Sequence, residues 1–335
     1  MTKRTAAKVF FALLVLLLIV YAVDVLLLVF AAVLLAVLLR ALAEPLAKWL
    51  HISPQWALAI VALLLTASIG AVGWLLAPSI GEQVRELRAA LPAALERLQQ
   101  ELSRFDWLES VLDTTRNPES LTAQPEVASK VGSAVSGTLK SLANVVLVLV
   151  IALYLAADPR LYVEGAVRLV PMAHRVRARE VLHAIGDTLR WWLLGKAISM
   201  LIVGVAVFIG LLALGVPMAG ALALIAALLD FIPNVGPILA VIPAALFALL
   251  EGPTQVVYVL LLYSVIQVVE SYLLTPLIER KTVSLPPALT LVALAVAALL
   301  FGWLGLLLAA PATAALLVLV QMVYLEDTLG ETNAR

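Results

Sequence analysis

Four polar side chains fall within or near the ends of long apolar stretches: Lys196, Asp230, Gln267 and Glu270. An ionisable group in such a setting is by default a functional-site hypothesis, because membrane interiors disfavour charge. Asp230 opens the run Asp230-Phe231-Ile232-Pro233-Asn234-Val235-Gly236-Pro237. Irregular backbone at membrane depth survives only when it is buried in protein or lines a cavity. The chemistry open to Asp230 is to bind a cation, to carry a proton, or to cap the half-helix that follows it. Asn234 and the backbone freed by Pro233 and Pro237 offer oxygens to a cation or donors to a polar solute. Gly236 lets backbone approach backbone or ligand, and a purely structural turn explains the glycine equally well. Gln267, Glu270 and Ser271 fall near one helical face, which reads as a coupling-ion or solute face. The bland alternative puts Glu270 near a cytoplasmic helix end, within reach of headgroup water. Lys196 stands near the start of a span, where its head would snorkel to the interface unless it pairs with Asp230 or Glu270.

The elements that position these groups are helical. With 64% hydrophobic and 13% charged residues, the chain reads as an all-α polytopic membrane protein. Three scattered histidines and no cysteine give no metal-ligand spacing. No G-x-x-x-x-G-K-[ST] loop is present, so the sequence implies no nucleotide cofactor. Ser264 and Ser271 have no base other than Glu270 nearby, which makes an intramembrane enzyme a distant reading.

The spacing predicts about eight membrane segments in four regions: residues 1–78, 79–140, 141–325 and a polar tail, 326–335. The run from Val9 to Leu39 is too long for one untilted span. A tight pair of helices breaking near Tyr21–Asp24 is expected, with one long tilted helix as the alternative. Trp56–Ala77 follows as a span. Residues 79–140 read as a small soluble helical insert, with an apolar seam from Ile80 to Phe105 at three- and four-residue steps. Ala143–Ala157 is the next span, closed by Asp158 as N-cap and Pro159 at N1 of a new helix. Six arginines between 160 and 190 suggest helices lying at the membrane surface over 158–192. Trp191 and Trp192 read as interfacial anchors, and a span follows over roughly Leu193–Leu214.

Two segments, 217–250 and 286–321, are long, apolar and interrupted at the centre, so both read as re-entrant-like helical hairpins. Pro217 to Gly236 and Pro286 to Gly305 are each nineteen residues apart. Val256–Leu274 lies between them as an ordinary span. Basic residues at the N-terminus, in 158–190 and at Glu279-Arg280-Lys281 favour the cytoplasm. With an N-terminal helix pair, both termini would be cytoplasmic and the insert would face outward. The interrupted segments would then enter from opposite faces, as inverted repeats do in secondary transporters.

The pattern resembles the autoinducer-2 exporter family of bacterial and archaeal membrane proteins. The resemblance is carried by a D/N-x-I-P-x-V/I-G-P stretch at Asp230–Pro237 and an E-x-x-x-L-x-P stretch at Glu270–Pro276. Tyr154–Asp158, the run from Arg190-Trp191-Trp192 to Gly195-Lys196, and Gly302–Pro311 add to it. Glu279 stands where glycine is usual in the family, and Pro286 where histidine is common. The resemblance implies a secondary transporter in the prokaryotic cytoplasmic (inner) membrane, exporting a small polar solute such as autoinducer-2. It also implies a homo-oligomer, with a pentamer as the assembly considered, and no nucleic-acid partner. Protons or sodium would be the coupling ion. The solute site is expected between the hairpin tips, with Asp230, Asn234 and Glu270 near it. The alternatives are a sodium–proton antiporter and a non-transporting membrane scaffold acting through its soluble insert.

Overall fold

The computed structural model describes residues 3–68, 70, 71, 74, 143–279 and 286–330, and the side chains from residue 23 onward. The expected soluble insert, its apolar seam and the Arg280-Lys281 loop lie outside the described residues. Among the described residues every regular element is a helix. Four helical stretches are long and apolar enough to cross a membrane: Val23–Leu50, Met172–Ala213, Pro253–Leu277 and Pro287–Glu326. A fifth is present if a sharply bent pair, Ala143–Ala157 with Pro159–Arg168, counts as one span.

The first helix, α1 (Lys3–Leu50), runs unbroken through Asp24. The expected break near Tyr21–Asp24 is therefore replaced by one helix of about 72 Å at 1.5 Å per residue. The reason is local. No glycine or proline occurs before Pro45, and a single aspartate, exposed here, costs a helix too little to break it. One crossing instead of two also removes the count that placed both termini in the cytoplasm with the insert outside.

After α2 (Pro54–Ser68) and α3 (Ala143–Ala157) the chain bends by 87° into α4 (Pro159–Arg168). The expected cap is in place: the Asp158 carboxylate accepts from the Leu161 N–H at 3.3 Å, and Pro159 occupies N1. Next, α5 (Arg175–Ala213) runs 39 residues without interruption. The surface helix expected up to residue 192 and the span expected after it are thus one helix, since no proline separates the arginine-rich part from the apolar part.

The chain divides into two units: Met1–Ala62, Leu142–Arg190 and Val283–Arg335 form one, and Leu63–Ser141 with Trp191–Thr282 the other. In the first, Arg179 grips Glu164 of α4 through two nitrogens, at 3.1 and 2.9 Å. Arg177 bonds Glu326, Asp327 and the Met322 carbonyl, which closes the π-helical turn Val320–Glu326 at the chain's C-terminal end. The segment Pro287–Leu319 (α10) breaks at Gly302, whose φ of 62° and ψ of −143° suit only glycine. Beyond the break, the α-carbon of Gly305 packs against the Ala297 carbonyl and the Phe301 β-carbon. Those groups lie eight and four residues back, so the two arms converge at the kink.

The second unit holds the other interrupted segment. Here α6 (Ala219–Leu229) and α7 (Val235–Glu251) flank a turn at Asp230–Asn234, and α8 (Pro253–Val269) follows. At 1.5 Å per residue α6 and α7 are about 16 and 26 Å long, each short of a core of about 30 Å. Gly236, Ala240, Ala244 and Ala248 recur every four residues on α7 and are all buried. Small residues let helices approach closely where lipid gives no hydrophobic drive for association. Around this stripe pack Val207 and Leu211 of α5, Leu222 and Ala226 of α6, and Val259 and Tyr263 of α8. The apolar end of α5 closes with Gly215 at φ 70°, its N–H on the Leu212 carbonyl and the Val216 N–H on that of Leu211, a left-handed C-terminal cap. Gln255 of α8 donates to the carbonyl of Leu214.

Candidate functional site

The break between α6 and α7 is made by four residues with separate roles. Pro233 and Pro237 have no N–H to give to a helix ladder. Asn234 takes a left-handed φ of 63°, tolerated better by asparagine than by most residues. Gly236 packs its α-carbon directly on the Leu229 carbonyl, so any β-carbon there would collide with backbone. That carbonyl also accepts from the Ile232 N–H at 2.9 Å, and the Ile232 carbonyl accepts from Gly236 at 2.9 Å. The close approach anticipated for Gly236 is thus to backbone. Phe231 sets its ring edge-on to Trp192, with centroids 5.6 Å apart and planes at 88°. Trp192 is buried by this packing while Trp191 is exposed, so of the two expected anchors Trp192 instead braces the turn.

This scaffold aims the Asp230 carboxylate inward, where it is 1% exposed. Its Oδ2 lies 3.0 Å from Lys196 Nζ and accepts from the Ser199 hydroxyl at 3.2 Å. The same lysine reaches Glu270 Oε1 at 3.2 Å, and the same hydroxyl lies 3.2 Å from that oxygen. All four residues are buried. Two alternatives left open by the sequence are decided by this geometry. Lys196 does not snorkel, because two carboxylates hold it inside the protein. Asp230 does not cap α7: it closes the C-terminal end of α6, and the N-cap of α7 is Asn234, without a side-chain bond.

Glu270 owes its place to a local departure from α-helical geometry. At Glu270 the helix α8 widens into a π-helical turn, Glu270–Leu274, before resuming as α9 (Thr275–Glu279). Such bulges are rare and concentrate at functional sites. Of the face expected for Gln267, Glu270 and Ser271, the first two line one cavity while Ser271 points away from it. Glu270 is buried, Ser271 is exposed, and Gln267 donates to the Ser271 hydroxyl at 3.2 Å. Asn234 is exposed on the turn and does not join the cluster.

Ser199 was not among the residues singled out by sequence. It follows Lys196 by three positions on one helix face and is polar in an otherwise apolar run, which is the signal that finds it. Tyr263 is a second omission. Beside the cluster lies a cavity of about 10 Å³, lined by Asp230, Tyr263, Gln267, Glu270, Pro237 and apolar side chains. That is room for about one water molecule. Asp230 Oδ1 and the Tyr263 hydroxyl are both buried without a hydrogen-bond partner, and both belong to residues that line this space. Fully ionised, one lysine and two carboxylates leave the cluster a single negative charge. A proton or one monovalent cation makes it neutral, and a protonated carboxyl can donate to Ser199 while Ser199 donates to the other acid.

The model for AI-2E family transporters matches residues 9–324. The chain belongs to this family. It is therefore grouped with multi-pass membrane transporters, in keeping with its apolar helices. Two similar proteins of Bacillus subtilis bear the name "putative transport protein". YueF is 28% identical over 261 residues, covering 74% of this chain and 69% of the relative. YrrI is 25% identical over 305 residues, covering 87% and 86%. The similarly named YhhT of Escherichia coli K12 is 24% identical over 307 residues, covering 89% and 84%.

Proposed function

We propose that this AI-2E protein is a secondary transporter in which Asp230 and Glu270, sharing Lys196 and Ser199, exchange a proton or sodium ion as access alternates. The observation that carries the reading is the odd charge count of a buried cluster: one ammonium held by two carboxylates. A purely structural ion pair would need one acid. A third charge, buried and uncompensated, is expensive in the interior, and it becomes useful where an ion must bind and leave.

The cargo proposed is a small polar solute such as autoinducer-2, moved outward across the cytoplasmic (inner) membrane by a homo-oligomer, a pentamer being the assembly considered. In this reading 217–250 and 286–321 are re-entrant hairpins, and with α1 as a single helix some seven membrane segments make up the chain. Gln267, Pro233, Pro237 and the exposed Asn234 and Ser271 belong to the surrounding pathway rather than to the ion-exchanging group. The sodium–proton antiporter reading has one observation in its favour: the cavity beside Asp230 is sized for an ion or a water, far below what an organic solute fills.

Proton flux in proteoliposomes carrying the purified protein and an internal pH dye tests the proposal. Sodium and autoinducer-2 are added in turn. Flux driven by autoinducer-2 supports coupled export, flux driven by sodium alone supports the antiporter, and flux with either that survives in Glu270→Gln removes the cluster from the mechanism.

A further inference from the structure

A second polar pocket, of about 230 Å³, lies in the first unit where α1 ends, α2 begins and α3 ends. Its polar lining comes from Arg40, Glu44 and Lys48, spaced by four along one face of α1, and from Gln55 in the first turn of α2. Arg40 donates to the Ala156 carbonyl at 3.0 Å, and its other nitrogen stands 3.7 Å from Glu44. Glu44 is already held at its second oxygen by Arg190, at 2.6 Å. Arg190 keeps a buried Nε–H without a partner. Lys48 is exposed and makes no ion pair among the described residues. Two cations and one carboxylate therefore line the pocket, and that carboxylate is already paired by Arg190 from outside the lining. Beyond them, the first N–H groups of α2 lack helical partners and add positive potential.

We propose that this pocket binds the phosphate of an anionic ligand, whether a lipid headgroup or a free phosphate compound. The net positive lining, Arg40 and Lys48 against Glu44, suits the negative charge of a phosphate group. The guanidinium fork and a helix N-terminus are the donors that suit its oxygens. Trp49 and Trp56, on either side of the pocket's rim in sequence, are 78% and 69% exposed. Exposed tryptophans at helix ends mark headgroup level, and basic pockets between membrane helices at that level take anionic headgroups.

The test uses the full-length protein in detergent, with native mass spectrometry to score bound lipid. Phosphatidylglycerol, phosphatidylcholine and inorganic phosphate are the probes, and Lys48→Gln is the principal variant because the exposed Lys48 makes no side-chain bond among the described residues. Arg40→Gln is the second, and Lys48→Arg the rescue. Phosphatidylglycerol retained about tenfold better than phosphatidylcholine, with the preference lost in Lys48→Gln and restored in Lys48→Arg, identifies a lipid site. Inorganic phosphate that displaces phosphatidylglycerol, or binds alone with the same dependence on Lys48, identifies a site open to free phosphate. Equal retention of the two lipids without phosphate binding, or a preference that neither Lys48→Gln nor Arg40→Gln reduces, overturns the proposal.

Discussion

Replacing Asp230 with asparagine changes the charge count of the buried cluster without removing its shape. Lys196 and Glu270 remain 3.2 Å apart as a balanced pair, and the new amide oxygen can still accept from Ser199. The fold should therefore lose only about 1–2 kcal/mol, the scale of a weakened buried hydrogen bond. Lys196→Met should cost more, about 3–5 kcal/mol, because it leaves buried carboxylates without their cation. Ion binding responds in the opposite order of severity. A cation seated near the cluster loses a unit negative charge at about 4 Å, worth about 4 kcal/mol at an effective dielectric near 20. That corresponds to roughly a thousandfold in apparent affinity, at about 1.36 kcal/mol per decade. The assay is ion-driven proton flux in proteoliposomes over a sodium titration, read beside thermal unfolding in detergent. Asp230→Asn should stay folded and lose saturable flux over any accessible concentration, and Glu270→Gln should behave alike, because either neutralisation leaves a balanced pair. A folded Asp230→Asn whose apparent affinity moves less than tenfold would refute the argument from charge count.

Gly236→Ala should destabilise the protein by about 2 kcal/mol or more, since its β-carbon meets the Leu229 carbonyl rather than a movable side chain; an unchanged unfolding temperature would show that the turn can open at no cost. Tyr263→Phe removes a buried hydroxyl that has no partner within the protein. With the cavity dry, the change should leave stability equal or raise it by up to about 1 kcal/mol; with the cavity holding a bound ion or water, the sodium dependence of flux should weaken instead, and the same two assays separate these outcomes.

Much of the architecture was legible because it follows from local chemistry. Apolar runs gave helices, Asp158-Pro159 gave a cap and a bend, and the prolines and glycines at 230–237 and 302–305 gave the two interruptions. Where the structure departs from these expectations, the cause is also local. Nothing near Asp24 disfavours a helix, so of the pair and the single long helix the latter forms, and α5 joins the arginine-rich segment to the following span without a break.

By itself the sequence determined that this is a helical membrane protein with Asp230 inside it, and it left Glu270 between the interior and headgroup water. Depth follows from the length of the apolar runs, and an acid within such a run is evident on inspection. The tertiary structure decided which polar groups meet. Lys196, Ser199, Asp230 and Glu270 come from three separate stretches of chain, and their approach depends on the Gly236 contact with Leu229, the brace of Trp192 on Phe231 and the π-helical turn at Glu270. Those are packing events, with no period or spacing to announce them. The same holds for the fate of Lys196: a lysine near the end of a span snorkels when water is its best partner, and is drawn inward when two carboxylates are already waiting there.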